Sequence, residues 1–66
     1  MTVIINGTPR DLPAGATAAD AVRLITEATT GLAVAVNDEV LRRAAWDTAA
    51  LADGDVIEIL TAVQGG

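Results

Sequence analysis

The chain has 66 residues, a net charge of −5, and neither Cys nor His, so no disulfide and no Cys/His metal site can hold it together. This length allows one small domain, and its core must be aliphatic because Trp46 is the only aromatic residue. The four basic residues are all arginines (Arg10, Arg23, Arg42 and Arg43) and form no basic stripe, which argues against nucleic acid and anionic membranes as partners.

In chain order, Met1 to Ile5 reads as a strand, with Met1, Val3 and Ile5 on one face and Thr2, Ile4 and Asn6 on the other. Asn6-Gly7 is a strong hairpin signal, since both residues tolerate φ > 0. The return strand, Thr8 to Leu12, contains Pro9, which cannot donate to a ladder and so predicts a sheet edge. After the break at Pro13-Ala14-Gly15, Thr17 and Asp20 form a T-x-x-D capping pattern. It opens a helix predicted over Ala18 to Thr29, with Ala18, Ala21, Val22, Ile25 and Ala28 on one stripe and Leu24 on its flank. Asp20, Arg23 and Glu27 fall opposite, spaced for weak charge pairs, and Gly31 is placed to end the helix.

Leu32 to Val36 is apolar on both faces, the pattern of a well-buried strand. Asn37-Asp38 predicts a turn into a short strand, Glu39 to Leu41. Arg42 to Ala52 has no clean period. There Trp46 is expected at the core edge, Asp47 as the cap of a short helical turn through Leu51, and Arg42-Arg43 as a solvated loop pair. Asp53-Gly54-Asp55 turns the chain into the last strand, with Ile57, Ile59 and Thr61 facing one way and Glu58, Leu60 and Ala62 the other. The predicted order is strand, strand, helix, strand, short strand, strand. One helix can cover only one face of such a sheet. The expectation is an α+β fold of the β-grasp kind, a mixed sheet wrapping one α-helix, with first and last strands adjacent and parallel. Val3, Ile5, Ile57 and Ile59 should face the helix, leaving Ile4 and Leu60 on the uncovered face, near where the tail leaves.

His, Cys, Lys and Tyr are all absent, which removes most general bases, covalent nucleophiles and Schiff-base formers. The pair Asp38-Glu39 has no third ligand nearby and lies in a turn, so it is not read as a metal or acid/base site. A binding module, or a protein that is another enzyme's substrate, fits better than a self-sufficient enzyme. Gly65 and Gly66 at the end of the chain have no side chain to pack. Residues 64–66 read as a flexible Gly-Gly tail beyond a domain of residues 1–63. Fully extended, they would project roughly 10 Å at about 3.3–3.6 Å per residue. No apolar run approaches the ~20 residues of a membrane span, and no signal peptide is visible, so a cytoplasmic location is expected.

Several stretches together carry a resemblance. They are Asn6-Gly7, the segment Gly31 to Val40 with its Ala-Val-Asn-Asp-Glu core, Trp46, and Asp53-Gly54-Asp55 leading into Leu60-Thr61-Ala62-Val63-Gln64-Gly65-Gly66. The chain resembles the thiamine-biosynthesis sulfur carriers, the ThiS family, over its whole length. The small subunit of molybdopterin synthase also looks similar but is generally longer, with a different approach to its Gly-Gly. The family resemblance implies adenylation of the Gly66 carboxylate by a ubiquitin-activating-type adenylyltransferase that uses ATP, with no cofactor bound to the carrier itself. It implies conversion to a thiocarboxylate with sulfur from a donor such as a cysteine desulfurase, and delivery to thiazole synthase. Gly65, Gln64 and Val63 are then expected to be read by partners at a channel mouth, although Gln64 and Val63 read equally well as a strand end. Ile4, Leu60, Glu58 and Ala62 are the expected docking surface. Asp53 and Asp55 could steer basic partners, or could simply serve the turn. A carrier feeding molybdopterin, cysteine or tRNA thiolation, and a non-covalent β-grasp interaction module, are the alternatives.

Overall fold

The computed structural model describes residues 1–61. Strands β1 (Thr2–Ile5), β2 (Thr8–Asp11), β3 (Leu32–Val36), β4 (Glu39–Leu41) and β5 (Val56–Thr61) form one sheet in the order β2-β1-β5-β3-β4. Helix α1 (Ala18–Ile25) lies between β2 and β3 in the chain. The first and last strands are neighbours and parallel, with Ile4 opposite Val56 and Ile5 opposite Ile57, while the other pairs are antiparallel. This is the β-grasp arrangement. The strand containing Pro9 is at the edge, where the missing N–H costs no ladder bond.

Two turns are set by asparagine. Asn6 and Gly7 have φ of 51° and 82°, and Asn37 and Asp38 have φ of 51° and 68°. Two successive left-handed residues twist a two-residue hairpin in the sense its strands require.

The core lies between α1 and one face of the sheet. Ile5, Ile57, Val3 and Val34 are its largest fully buried side chains, and Ile59 is buried beside them. The helix contributes Ala18, Ala19, Ala21 and Val22, small residues that leave little to interpose between helix and sheet. Only one face of β3 is covered. Val34 is buried, whereas Ala33 is exposed and Leu32, Ala35 and Val36 are half-buried, so the strand is less enclosed than its apolar run suggests. A single helix cannot cover both sides.

The helix is shorter than its periodicity predicts. It ends at Ile25, and Thr26 is already extended at φ −151°, ψ 152°. The segment Thr26-Glu27-Ala28-Thr29-Thr30 has three β-branched hydroxyl residues, which favour local side-chain bonds over the helix ladder. Thr26 Oγ1 indeed accepts the Ala28 N–H at 3.1 Å. Ala28 and Glu27 therefore lie outside α1, and Gly31 (φ 72°) turns the chain into β3 rather than ending the helix. Leu24, on the flank, is 47% exposed.

The N-terminus of α1 is a full capping box. Asp20 N–H donates to Thr17 Oγ1 at 3.4 Å, and Thr17 N–H donates to Asp20 Oδ2 at 2.9 Å. That backbone bond, together with the Arg23 guanidinium at 2.7 Å, holds the Asp20 carboxyl below its ordinary value of 3.8.

The irregular stretch after β4 is organised by the same helix end. It forms a 3-10 turn at Arg43–Ala45, not the expected Asp47-capped turn through Leu51. Ala18 N–H donates to Ala49 O at 3.0 Å, Ala19 N–H to Trp46 O at 3.1 Å, and Leu51 N–H to Ala16 O at 2.9 Å. The first N–H groups of a helix have no partner within it. Carbonyls of this stretch supply them, which explains a segment with no period of its own. Trp46 is 6% exposed and its indole N–H donates to Leu41 O at 2.8 Å. Arg43, rather than being merely solvated, lies over the Trp46 ring at 5.3 Å and donates to Thr29 O.

Candidate functional site

Strand alternation sorts the sheet into two faces. With Val3, Ile5, Val34, Ile57 and Ile59 under the helix, the residues between them point the other way. In β5 these are Val56, Glu58 and Leu60, of which Val56 is 42% and Leu60 67% exposed. Ile4 of β1 is half-buried and sits opposite Val56. On the other side, Ala33 pairs with Leu60 and Ala35 with Glu58. Val40, at 81% exposure, pairs with Ala35. The uncovered face is thus an apolar strip across four adjacent strands, with Glu58 as the one acid of the central strand on that face. A large aliphatic side chain left in water forfeits roughly 1.5–3 kcal/mol of burial. Leu60, Val40 and Val56 are the large aliphatic side chains most exposed on this face, with Glu58 between Val56 and Leu60 in β5.

The structure places Ile4, Leu60 and Glu58 on this face, as the alternation predicts, but Ile4 lies opposite Val56 at the start of β5 rather than beside Leu60 near its end, because β1 runs parallel to β5 and pairs with its first residues. Ala62, Val63, Gln64, Gly65 and Gly66 lie outside the described residues. Val56 and Val40 are additions to the face. Val56 was legible, since it has the parity of Glu58 and Leu60; Val40 was not, because its face depends on pairing with Ala35.

Asp53 and Asp55, read as steering charges or turn residues, have structural work. Asp53 Oδ1 accepts the Thr2 N–H at 2.7 Å, and Asp55 Oδ2 accepts the Ala52 N–H at 2.8 Å. Asp55 Oδ1 also accepts from Asn37 Nδ2 at 3.0 Å. These bonds build the turn that launches β5. Asp38 sits in its own turn at φ 68°, and no group of three or more acidic, His or Cys residues among those described could hold a metal ion.

A groove of about 460 Å³ opens on the helix side, between the end of α1, the loop to β3 and the 3-10 turn. Its wall contains Arg43, already committed to Thr29 and Trp46. The carboxylate residues Glu27 and Asp47 also line it.

The ThiS family model matches residues 3–66. The chain belongs to the ThiS family. Two structures of a thiamine biosynthesis protein from Geobacter metallireducens are similar to it. The crystal structure, described as ThiS, is 29% identical, covers all of both chains and superposes with a TM-score of 0.79. The solution NMR structure is 30% identical over all of this chain and 88% of the other, with a TM-score of 0.81. No curated protein matches the chain. The match to these folds agrees with the β-grasp topology, and membership of the family supports a role as a thiamine sulfur carrier. No helix among the described residues is long and apolar enough to cross a membrane.

Proposed function

We propose that this chain carries sulfur as a thiocarboxylate on Gly66 and delivers it to thiazole synthase for the thiazole ring of thiamine. The observation that carries the reading is the family match through residue 66, which takes in the terminal Gly65-Gly66 together with the domain.

The chemistry follows from the terminus. A free α-carboxyl has a pKa of about 3.3–3.7, so it is an anion near neutrality and a poor electrophile. Attack of the Gly66 carboxylate on the α-phosphorus of ATP, in a ubiquitin-activating-type adenylyltransferase, releases pyrophosphate and leaves an acyl adenylate. A sulfur nucleophile from a donor such as a cysteine desulfurase then attacks the carbonyl carbon and expels AMP. Where the donor is a cysteine persulfide the product is an acyl disulfide; a thiol then attacks the donor cysteine's sulfur, the S–S bond breaks, the thiol is oxidised into a disulfide with the donor, and the bridging sulfur leaves on Gly66 as a thiocarboxylate. The carrier needs no Cys, because its own terminal carbon holds the sulfur, and it needs no bound cofactor, because ATP is consumed by the partner.

Glycine suits the tail because it lacks a Cβ that a narrow channel would reject and accepts whatever φ/ψ a partner imposes. Ordering such residues costs about 1–2 kcal/mol each. Docking of the apolar strip (Ile4, Leu60, Val56 and Val40, with Glu58, and Ala62 beyond it) offsets that cost, while Gly65, Gln64 and Val63 are read at the channel mouth. We take the compartment to be the cytoplasm, where ATP is available.

The test is intact-mass measurement after incubation with ATP, an adenylyltransferase of this class and a sulfur donor. Replacement of one oxygen by sulfur at Gly66 is expected. An unchanged mass across several such activating enzymes would favour a non-covalent interaction module. Loading without transfer to thiazole synthase would favour a carrier for molybdopterin, cysteine or tRNA thiolation.

A further inference from the structure

β5 is held at its first residue and at Ile59, two residues before its end, by the side chains of two hairpin asparagines. At its start, on the β3 side, Asn37 Oδ1 accepts the Val56 N–H at 3.0 Å, and Asn37 N–H donates to Val56 O at 2.7 Å. Near its end, on the β1 side, the parallel ladder would stop. Asn6 N–H donates to Ile57 O at 2.9 Å, and then the Asn6-Gly7 turn carries β1 away. The Asn6 side chain continues the ladder instead. Its Oδ1 accepts the Ile59 N–H at 2.8 Å, and its Nδ2 donates to Ile59 O at 3.1 Å. A side-chain amide has the same donor and acceptor as a peptide unit. Here it stands in for the peptide unit that the turn removes, and it pairs with both polar groups of the residue before Leu60.

We propose that Asn6 is a positioning residue for the carrier terminus, acting through Ile59 to aim the end of β5 at the partner that activates Gly66. The proposal rests on the sulfur-carrier reading above. Residues 62–66 continue directly from β5, so the backbone direction at Ile59 to Thr61 is their point of departure. A strand end paired on both sides has fewer orientations than one paired only with β3. Apparent affinity falls by the fraction of molecules whose strand end is competent, so loss of the clamp should act on KM and spare kcat.

Asn37 provides a matched control, since it has the same left-handed turn position, the same side-chain chemistry and the same strand, but at the far end. Glycine tolerates φ near 51° at either site, so Asn6→Gly and Asn37→Gly keep the turns and delete the amides. The readout is carrier-dependent ATP–pyrophosphate exchange by the adenylyltransferase, with a thermal melt of each variant. We expect Asn6→Gly, which deletes both Asn6 side-chain hydrogen bonds to Ile59, to raise KM for the carrier roughly tenfold at unchanged kcat, a factor equivalent to about 1.4 kcal/mol. Asn37→Gly should lower Tm comparably and leave KM alone. Asn6→Asp keeps the Oδ1 acceptor but sets a carboxylate against Ile59 O, and should match or exceed the Asn6→Gly defect. Equal KM values for wild type and Asn6→Gly, or an equal rise in Asn37→Gly, would overturn the positioning role alone. Absence of exchange with the wild-type chain would overturn the carrier reading, and this role with it.

Discussion

Ile59 and Leu60 are adjacent in β5 and opposite in consequence. Ile59 is buried against the helix-facing core, whereas Leu60 stands 67% exposed on the uncovered face. Ile59→Ala should therefore cost about 2–5 kcal/mol of stability, read by chemical denaturation, because it leaves a cavity in a close-packed core. Leu60→Asp should cost about 1 kcal/mol or less yet weaken association with the adenylyltransferase or thiazole synthase by tenfold or more, on the order expected of a central interface residue. A Leu60→Asp chain that fails to fold would show that the face is assigned wrongly. Gly66 separates function from fold in the same way. Deleting it should abolish sulfur loading in the mass measurement while Tm stays within experimental error, since a glycine has no side chain to pack. A large drop in Tm would contradict the division between a folded mount and a reactive end.

Among the elements, α1 depends most on its first turn. Eight residues are too few for a stable helix in isolation. Its small apolar face, its capping box and the carbonyls of Trp46 and Ala49 hold it in place. Thr17→Ala should cost about 1 kcal/mol, which corresponds to a fall in Tm of about 4–8 °C in a domain of this size. The pH dependence has a definite sign. The Asp20 carboxyl is held below 3.8 in the folded state by the Thr17 N–H and by Arg23, so its contribution is present above that value. It is lost as pH falls through the lowered folded value. The Tm difference between wild type and Asp20→Asn should therefore be widest near neutrality and vanish well below pH 3.8. A difference that persists unchanged into strong acid would show that the charge of Asp20 is not what stabilises the cap.

For the molecule as a whole, the net charge of −5 is spread over a surface whose uncovered face is largely apolar, with Glu58 within it. Such a molecule should meet partner surfaces bearing Lys and Arg, with charge governing encounter and the apolar strip governing residence. Association rates with the adenylyltransferase, measured by stopped flow, should fall as salt rises past about 0.1 M, where the Debye length is ~10 Å. Dissociation rates should change much less. A salt-independent association rate would remove the steering role of the charge and leave the apolar contact as the sole determinant.

Much of this protein was legible before any coordinates. Asn6-Gly7, Asn37-Asp38 and Asp53-Gly54-Asp55 announce their turns, because left-handed or sharply turned backbone restricts which residues fit. Pro9 announces an edge, and the alternation in Val3 to Ile5 and Ile57 to Leu60 announces which side chains meet the helix. The terminal Gly-Gly and the motifs around it point to the family. One boundary escaped the periodic pattern: the helix ends at Ile25, where Thr26 Oγ1 accepts the Ala28 N–H, a local bond that periodicity does not register. Two things depended on the fold in space. The stretch from Arg42 to Ala52 took its shape from N–H groups of α1, which lies more than twenty residues earlier in the chain. The pairing of the Asn6 amide with Ile59 required β1 and β5 to lie side by side. Local conformational preference and binary pattern are written residue by residue, whereas a polar group's partner across the fold exists only once the chain has closed on itself.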